Sequence, residues 1–236
     1  MVNLLNVDGT ISTHELCFAL LRLEQPINHS SIAVFRRFIN MYAGGSNDLF
    51  HNHKSQTAYH FRYPLIQYKS LQGKAALMGI NEIGVQALLD LLSNSEFREI
   101  CEISMGQQFA VTEQIRENLQ LSTGRKNQYI IRRYIALNDH NLAEWERNQG
   151  LAARVRLLEN CLVGHILKFA SAVSWQLPPR SLQVEISDFS CRYGRQFGNP
   201  FLLFEVKFRS NITLPEWIGL GKAVSHGHGV VESYGV

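Results

Sequence analysis

The chain has 236 residues, of which 45% are hydrophobic and 18% charged, a balance that suits a folded globular protein and excludes a disordered one. No apolar run approaches the roughly 20 residues needed to span a bilayer, and the start Met1-Val2-Asn3-Leu4-Leu5 lacks the basic segment and cleavage site of a secretory signal, so a cytoplasmic protein without membrane contact is expected. The net charge of +3 is compatible with a nucleic-acid partner without requiring one.

Residues His14 to Glu24 are apolar on both alternating faces, which predicts a central strand ended by Pro26. Asn28, His29 and Ser30 offer helix caps, and Ile32, Phe35, Ile39 and Tyr42 then recur at the spacing of one helical face. Arg36 and Arg37 are expected to point away from that stripe, and Gly44-Gly45 to close the helix. Ala58 to Lys69 alternates aromatic and polar residues as a single strand would. A turn at Gln72-Gly73 leads to a short strand, Ala75 to Ile80, and to a helix capped by Asn81 with Val85, Leu88, Leu89 and Leu92 inward. A fourth strand is expected near Phe97 to Val111.

The second half repeats the plan. Tyr129 to Leu137 reads as a strand, and Leu151, Val155, Leu158, Leu162, Ile166, Phe169 and Val173 mark a long amphipathic helix stopped by Pro178-Pro179. Strands follow around Leu182 to Ile186 and Leu202 to Arg209, then a remnant helix at Leu214 to Ile218, a glycine-rich segment and a terminal strand. The economical reading is an α+β fold of two tandem ferredoxin-like (βαββαβ) domains, the second with a degenerate second helix. Ser122-Thr123-Gly124 breaks the pattern and sets the domains at 1–122 and 123–236. The four cysteines, Cys17, Cys101, Cys161 and Cys191, form no CxxC pair, which excludes a zinc ribbon or thioredoxin motif. Their apolar neighbours suit buried, reduced thiols.

Glycines at 219, 221, 227 and 229, with Lys222, Ser225 and His226 among them, allow positive φ angles and could turn several N–H groups toward one anion. The order is neither a P-loop nor a dinucleotide fingerprint, since position 224 is Val224. The run Gly219-Leu-Gly221-Lys222-Ala-Val-Ser225-His226-Gly227-His-Gly229 resembles the C-terminal glycine-rich loop of the RAMP superfamily, in particular its repeat-processing Cas-six branch. Phe61 to Lys69 is similar to the second strand of the bacterial members, and Ile135 to Asn141 with Leu158-Glu159-Asn160 resembles the opening of their second domain. One departure is His228, where the family usually has an aromatic residue such as phenylalanine.

The resemblance implies two ferredoxin-like folds and metal-independent cleavage of a CRISPR repeat RNA, in which a substrate 2′-hydroxyl attacks the adjacent phosphate. No cofactor is expected. Such a reaction needs a base, an acid and a cation for the phosphorane, and histidine suits the first two. In the family the catalytic histidine lies between the first helix and the second strand, which here nominates His51 and His53, with Lys54 for phosphorane charge and Tyr42 as an accessory tyrosine. Arg36, Arg37, Arg125, Lys126, Arg132, Arg133, Arg192 and Arg195 are the candidate RNA-binding side chains, together expected to make a basic cleft between the domains with salt-sensitive affinity. Three other readings stand beside this one. A zinc hydrolase would use His51-x-His53 and His226-x-His228, a non-catalytic RAMP subunit would hold guide RNA among other CRISPR-associated effector subunits, and a ferredoxin-like protein–protein module would bind no RNA.

Overall fold

The structure, a computed structural model, describes residues 9–43, 48–51, 53–55, 58–59, 63–105, 110–124, 126–148, 150–196 and 199–235. Gly44-Gly45, residues 60–62 and Arg125 lie outside the described residues. Packing divides the chain into an N-terminal unit, 16–117 with 224–227, and a C-terminal unit, 1–15 with 118–223 and 228–236.

The first half runs β1 (Thr10–Pro26), α1 (Ile32–Tyr42), a short α2 (Asp48–His51), the hairpin strands β2 (His53–Ser55) and β3 (Ala58–Tyr59), then β4 (Ile66–Leu71), β5 (Lys74–Ile80), α3 (Asn81–Ser93), α4 (Ser95–Met105) and β6 (Ala110–Ser122). The sheet order β4-β5-β1-β6 is that of a βαββαβ ferredoxin-like unit. β1 is buried on both faces, as its unbroken apolar run requires. Its Cys17, Ala19, Leu21 and Leu23 form a core with Ile32, Phe35 and Ile39 of α1 and with Val85 and Leu88 of α3. Each such large side chain contributes about 1.5–3 kcal/mol by leaving water. The Asn81 cap is present, its Oδ1 accepting from the N–H groups of Ile83 and Gly84.

β1 ends at Pro26 as expected, with Pro26 paired to Lys74 beyond a register shift, where its missing N–H breaks no regular ladder. Two local expectations are corrected. The strand expected over Ala58 to Lys69 is interrupted: Tyr63-Pro64-Leu65 lies outside any strand, because Pro64 has no donor for a ladder, and its carbonyl accepts from Gln67 instead. Most of the strand expected near Phe97 to Val111 is the helix α4, whose Phe97 N–H is capped by Asn94 Oδ1. Phe97 and Cys101, one turn apart, are the buried face of that helix.

The sheet's second face carries Phe18, Leu20, Met78 and Ile80 with Gln67 and Lys69, all buried. Lys69 Nζ donates to Gln67 Oε1 at 2.8 Å, and burial lowers its pKa from 10.5 to about 7. Between those values the unfolded chain binds the extra proton, so this lysine makes stability rise with pH from about 7 to 10.5, and its penalty is complete below 7. Lys69→Met is therefore expected to stabilise the protein at pH 6 by on the order of a few kcal/mol and to remove that part of the rise. Urea midpoints of both proteins at pH 6 and 9.5 check this; equal pH slopes would refute it.

The C-terminal unit contains β7 (Asn127–Tyr134), α5 (Asp139–Arg147), α6 (Leu151–Ala172), β8 (Val184–Gln196), β9 (Asn199–Ser210) and β10 (Val230–Ser233), with sheet order β10-β7-β9-β8. This is again the ferredoxin-like order, with a loop where the second helix would be. Leu158, Leu162, Ile166 and Phe169 are the buried stripe of α6, and Phe204, Val206 and Phe208 the buried side of β9. Trp145 of α5 meets Phe204 edge-on at 5.1 Å. That helix was not foreseen, although Asn138 caps it through the Asn141 N–H.

Five further readings change here. Leu151 is exposed rather than part of the stripe. α6 stops at Ala172, well before Pro178-Pro179, because Ser174 takes a left-handed φ of +64° and Trp175 N–H returns to Ala170 O. β7 ends at Tyr134, and Leu214 to Ile218 is not helical among the described residues. Pro215 disfavours a helical Leu214, and Trp217 N–H instead donates to Val231 O. Cys17, Cys101 and Cys161 are buried as expected, but Cys191, on the strand β8, is exposed. No helix among the described residues is long and apolar enough to cross a membrane.

Candidate functional site

The glycine-rich segment occupies the position of the missing helix. Gly221, Gly227 and Gly229 adopt φ values of +97°, +79° and +67°, the conformation their residue type permits. Gly229 has the least room, since an added Cβ would stand 1.8 Å from Leu220 O. Several amides of the segment bind within the protein and are not aimed at an anion. Leu220 N–H donates to Gly229 O, Lys222 N–H to Ile135 O, His228 N–H to Ala223 O and Gly229 N–H to Arg133 O. Gly219 bridges to Val230, Lys222 is exposed, and Ser225 is half-buried.

Under Gly221 lies the ring of Tyr134, 2.7 Å from where a Cβ would be. Its hydroxyl is hydrogen-bonded to His165 Nδ1 at 2.6 Å. Burial, assisted by Lys168 and Lys222, pushes the His165 pKa down to about 4, so the ring stays neutral. This pair was missed from sequence. The available signal was a histidine lying among the apolar positions of α6, between Leu162 and Phe169.

Residues 224–227 belong to the N-terminal unit. There Arg36 Nη1 donates to His226 Nε2 at 2.6 Å and His29 Nε2 donates to Gly227 O at 3.2 Å. The Arg36 guanidinium lies over the Tyr68 ring, 5.9 Å from its centre, and Tyr68 donates to Asn40 Oδ1 at 2.7 Å. Burial lowers the Arg36 pKa and raises that of Tyr68, each opposed by the other group. Arg36 thus does not point away from α1's packed side, because it follows Ile32 by one turn; Arg37 is exposed as expected.

His51 closes α2, while His53 and Lys54 stand in β2, with His53 paired to Tyr59. Only the backbone of these three candidates is described. Tyr42 closes α1 half-buried, its ring 5.3 Å from Phe38 and 6.1 Å from Phe97. The two histidines of His226-x-His228 make separate bonds. His226 receives Arg36, whereas His228 Nδ1 donates to Arg133 O at 3.2 Å, with burial holding its pKa at about 4. Among the described residues no three His, Cys, Asp or Glu side chains converge to hold a metal.

Of the nominated basic residues in the C-terminal unit, Lys126 pairs with Glu185 at 2.8 Å, and Arg132 bridges Glu205 at 2.8 Å and Glu232 at 3.1 Å. These pairs are exposed and individually weak, because water screens them. Arg133 and Arg192 line a pocket of about 360 Å³ with Leu203, Phe204 and Glu205. Arg195 lies in β8 with its side chain outside the described residues.

Comparison with known proteins places this arrangement. Residues 11–119 match the family model of the Cas6b N-terminal domain, and residues 120–234 that of the Cas6b C-terminal domain. The chain belongs to the Cas6 family. This Cas6-family chain is similar to a crystal structure of Cas6b with a TM-score of 0.76 at 20% identity, covering 94% of this chain and 100% of the other. A structure of the CRISPR RNA processing endoribonuclease Cas6b gives 0.65 at 19% identity, and Csf5, a type IV Cas6 crRNA endonuclease, 0.58 at 13%, each over 94% of this chain and 100% of the other. At these identities the likeness establishes the fold alone. An uncharacterized protein of Methanocaldococcus jannaschii is 32% identical over 100 residues, which is 42% of this chain and 65% of that protein's length.

Proposed function

We propose that this Cas6-family protein is a cytoplasmic endoribonuclease that cuts CRISPR repeat RNA into guide units without a metal ion. The observation that carries the reading is the match of both Cas6b domain models, in order, across residues 11–234. The similarity to a CRISPR RNA processing endoribonuclease supports it.

In this reading the domains are 1–122 and 123–236. A 2′-hydroxyl of the substrate attacks the adjacent phosphorus, the bond to the 5′-oxygen breaks, and the products carry a 2′,3′-cyclic phosphate and a 5′-hydroxyl. His51 or His53 removes the 2′-proton and a second acid returns one to the leaving oxygen. Lys54 stabilises phosphorane charge and Tyr42 assists. The glycine-rich segment and the basic residues named above hold the RNA, and the product passes to other CRISPR-associated subunits.

The test uses purified protein and its cognate repeat RNA. Cleavage is expected to continue at full rate after exhaustive chelation, and the upstream fragment should resist 3′-end ligation until its cyclic phosphate is opened and the resulting phosphate removed. Activity lost on chelation and restored by zinc would favour a metal hydrolase. Tight, salt-sensitive binding without cleavage would favour a guide-holding subunit.

A further inference from the structure

In a regular strand Arg132 and Arg133 would point to opposite faces. β7 does not allow this. Ile131 pairs with Val206 and Tyr134 with Phe204, so Arg132 and Arg133 together stand opposite Glu205, the two-against-one register of a β-bulge. Arg133 has a left-handed φ of +52°, sparsely populated by residues other than glycine. Its carbonyl is fixed by two donors from the glycine-rich segment, Gly229 N–H at 3.1 Å and His228 Nδ1 at 3.2 Å.

The bulge brings both arginines to the side of the sheet that bears Glu205 and Arg192, the latter reached across β9, where Leu203 pairs with it. Their circumstances differ. Arg132 is neutralised by Glu205 and Glu232. Arg133 and Arg192 make no ion pair among the described residues, and Arg133 Nε is buried with no hydrogen-bond partner. The Arg192 charge is close enough to lower the pKa of Arg133, after burial. Two like charges and an unanswered buried donor beside an open pocket are unfavourable until an anion enters. Glu205 lines the same pocket, but Arg132 holds its Oε2 and offsets its charge. Leu203, paired with Arg192, adds an apolar contact suited to a sugar or base.

We propose that Arg133 and Arg192 grip one and the same phosphodiester of the bound RNA, with the adjoining nucleoside against Leu203. This rests on the RNA-cleaving reading above and adds to it a single phosphate position. Arginine forks suit a phosphate's paired oxygens.

The experiment measures binding of an uncleavable repeat RNA, 2′-deoxy at the scissile nucleotide, to wild type, Arg133→Ala, Arg192→Ala and the double variant over a range of salt. Methylphosphonate replacements then neutralise one linkage at a time. Arg192 is exposed on an edge strand, so Arg192→Ala leaves the fold intact and keeps the test valid should Arg133→Ala unfold. Each single variant is expected to bind about tenfold more weakly and to lose about one from the salt slope. The double variant should lose little more than either single one. One linkage should exist whose neutralisation weakens wild type but leaves the variants unchanged. If the losses add, or no linkage shows that dependence, the shared phosphate is disproved while RNA binding stands. If wild type binds no repeat RNA at any salt, the RNA-cleaving reading falls and this clamp with it.

Discussion

Replacing both His51 and His53 by alanine will lower single-turnover cleavage of the cognate repeat by about a hundred- to ten-thousand-fold, the range that a positioned acid–base group supplies. Affinity for the uncleaved RNA will change little, because an uncharged imidazole contributes little to counterion release. The physical reason is the proton inventory of the reaction. The attacking 2′-hydroxyl must lose a proton and the departing oxygen must gain one, and an imidazole with a pKa of about 6.5 can do either near neutrality. His51 at the end of α2 and His53 at the start of β2 lie close in the chain, in the segment between α1 and β4. The two single variants will distinguish them: one will resemble the double variant and the other wild type. The wild-type pH profile should carry an inflection that the damaging variant lacks. Wild-type rates in the double variant would end the assignment.

Gly229→Ala will be the most damaging small substitution in the glycine-rich segment. Gly73 supplies the comparison, since both residues have left-handed φ values, +77° at 73 and +67° at 229. A Cβ at Gly73 meets nothing within 4 Å, so Gly73→Ala carries only the conformational penalty, about 1–2 kcal/mol. A Cβ at Gly229 would stand 1.8 Å from Leu220 O, far inside contact distance. The backbone must move, which breaks the Leu220 N–H bond to Gly229 O or the Gly229 N–H bond to Arg133 O. The cost should exceed about 4 kcal/mol, or roughly 10 °C in the thermal midpoint, against about 3 °C for Gly73→Ala. Scanning calorimetry decides it. Equal shifts at the two positions would show that φ alone matters and that the close approach to Leu220 relaxes freely.

Much of the architecture was legible in the residues alone. The doubly apolar run of β1, the three-and-four spacing of α1 and α6 and the alternation in β9 are set by short-range periodicity, which survives without knowledge of any partner. Gly221, Gly227 and Gly229 were likewise identifiable as positions of positive φ. Where two local patterns competed, the reading failed. Phe97 and Cys101 suit a helix face, yet the surrounding apolar residues also suggested a strand, and only the Asn94 cap and the packing decide for α4.

Hydrophobic periodicity pointed to two βαββαβ repeats, and the resemblance of the glycine-rich segment pointed to a RAMP-type protein. Tertiary structure alone decided which polar groups meet. The Arg36–His226 bond joins residues 190 apart and the His228–Arg133 bond residues 95 apart. The bulge that turns Arg133 beside Arg192 is a property of strand register. Register and such contacts are chosen by the lowest free energy of the whole packed chain, so no window of neighbouring residues contains them.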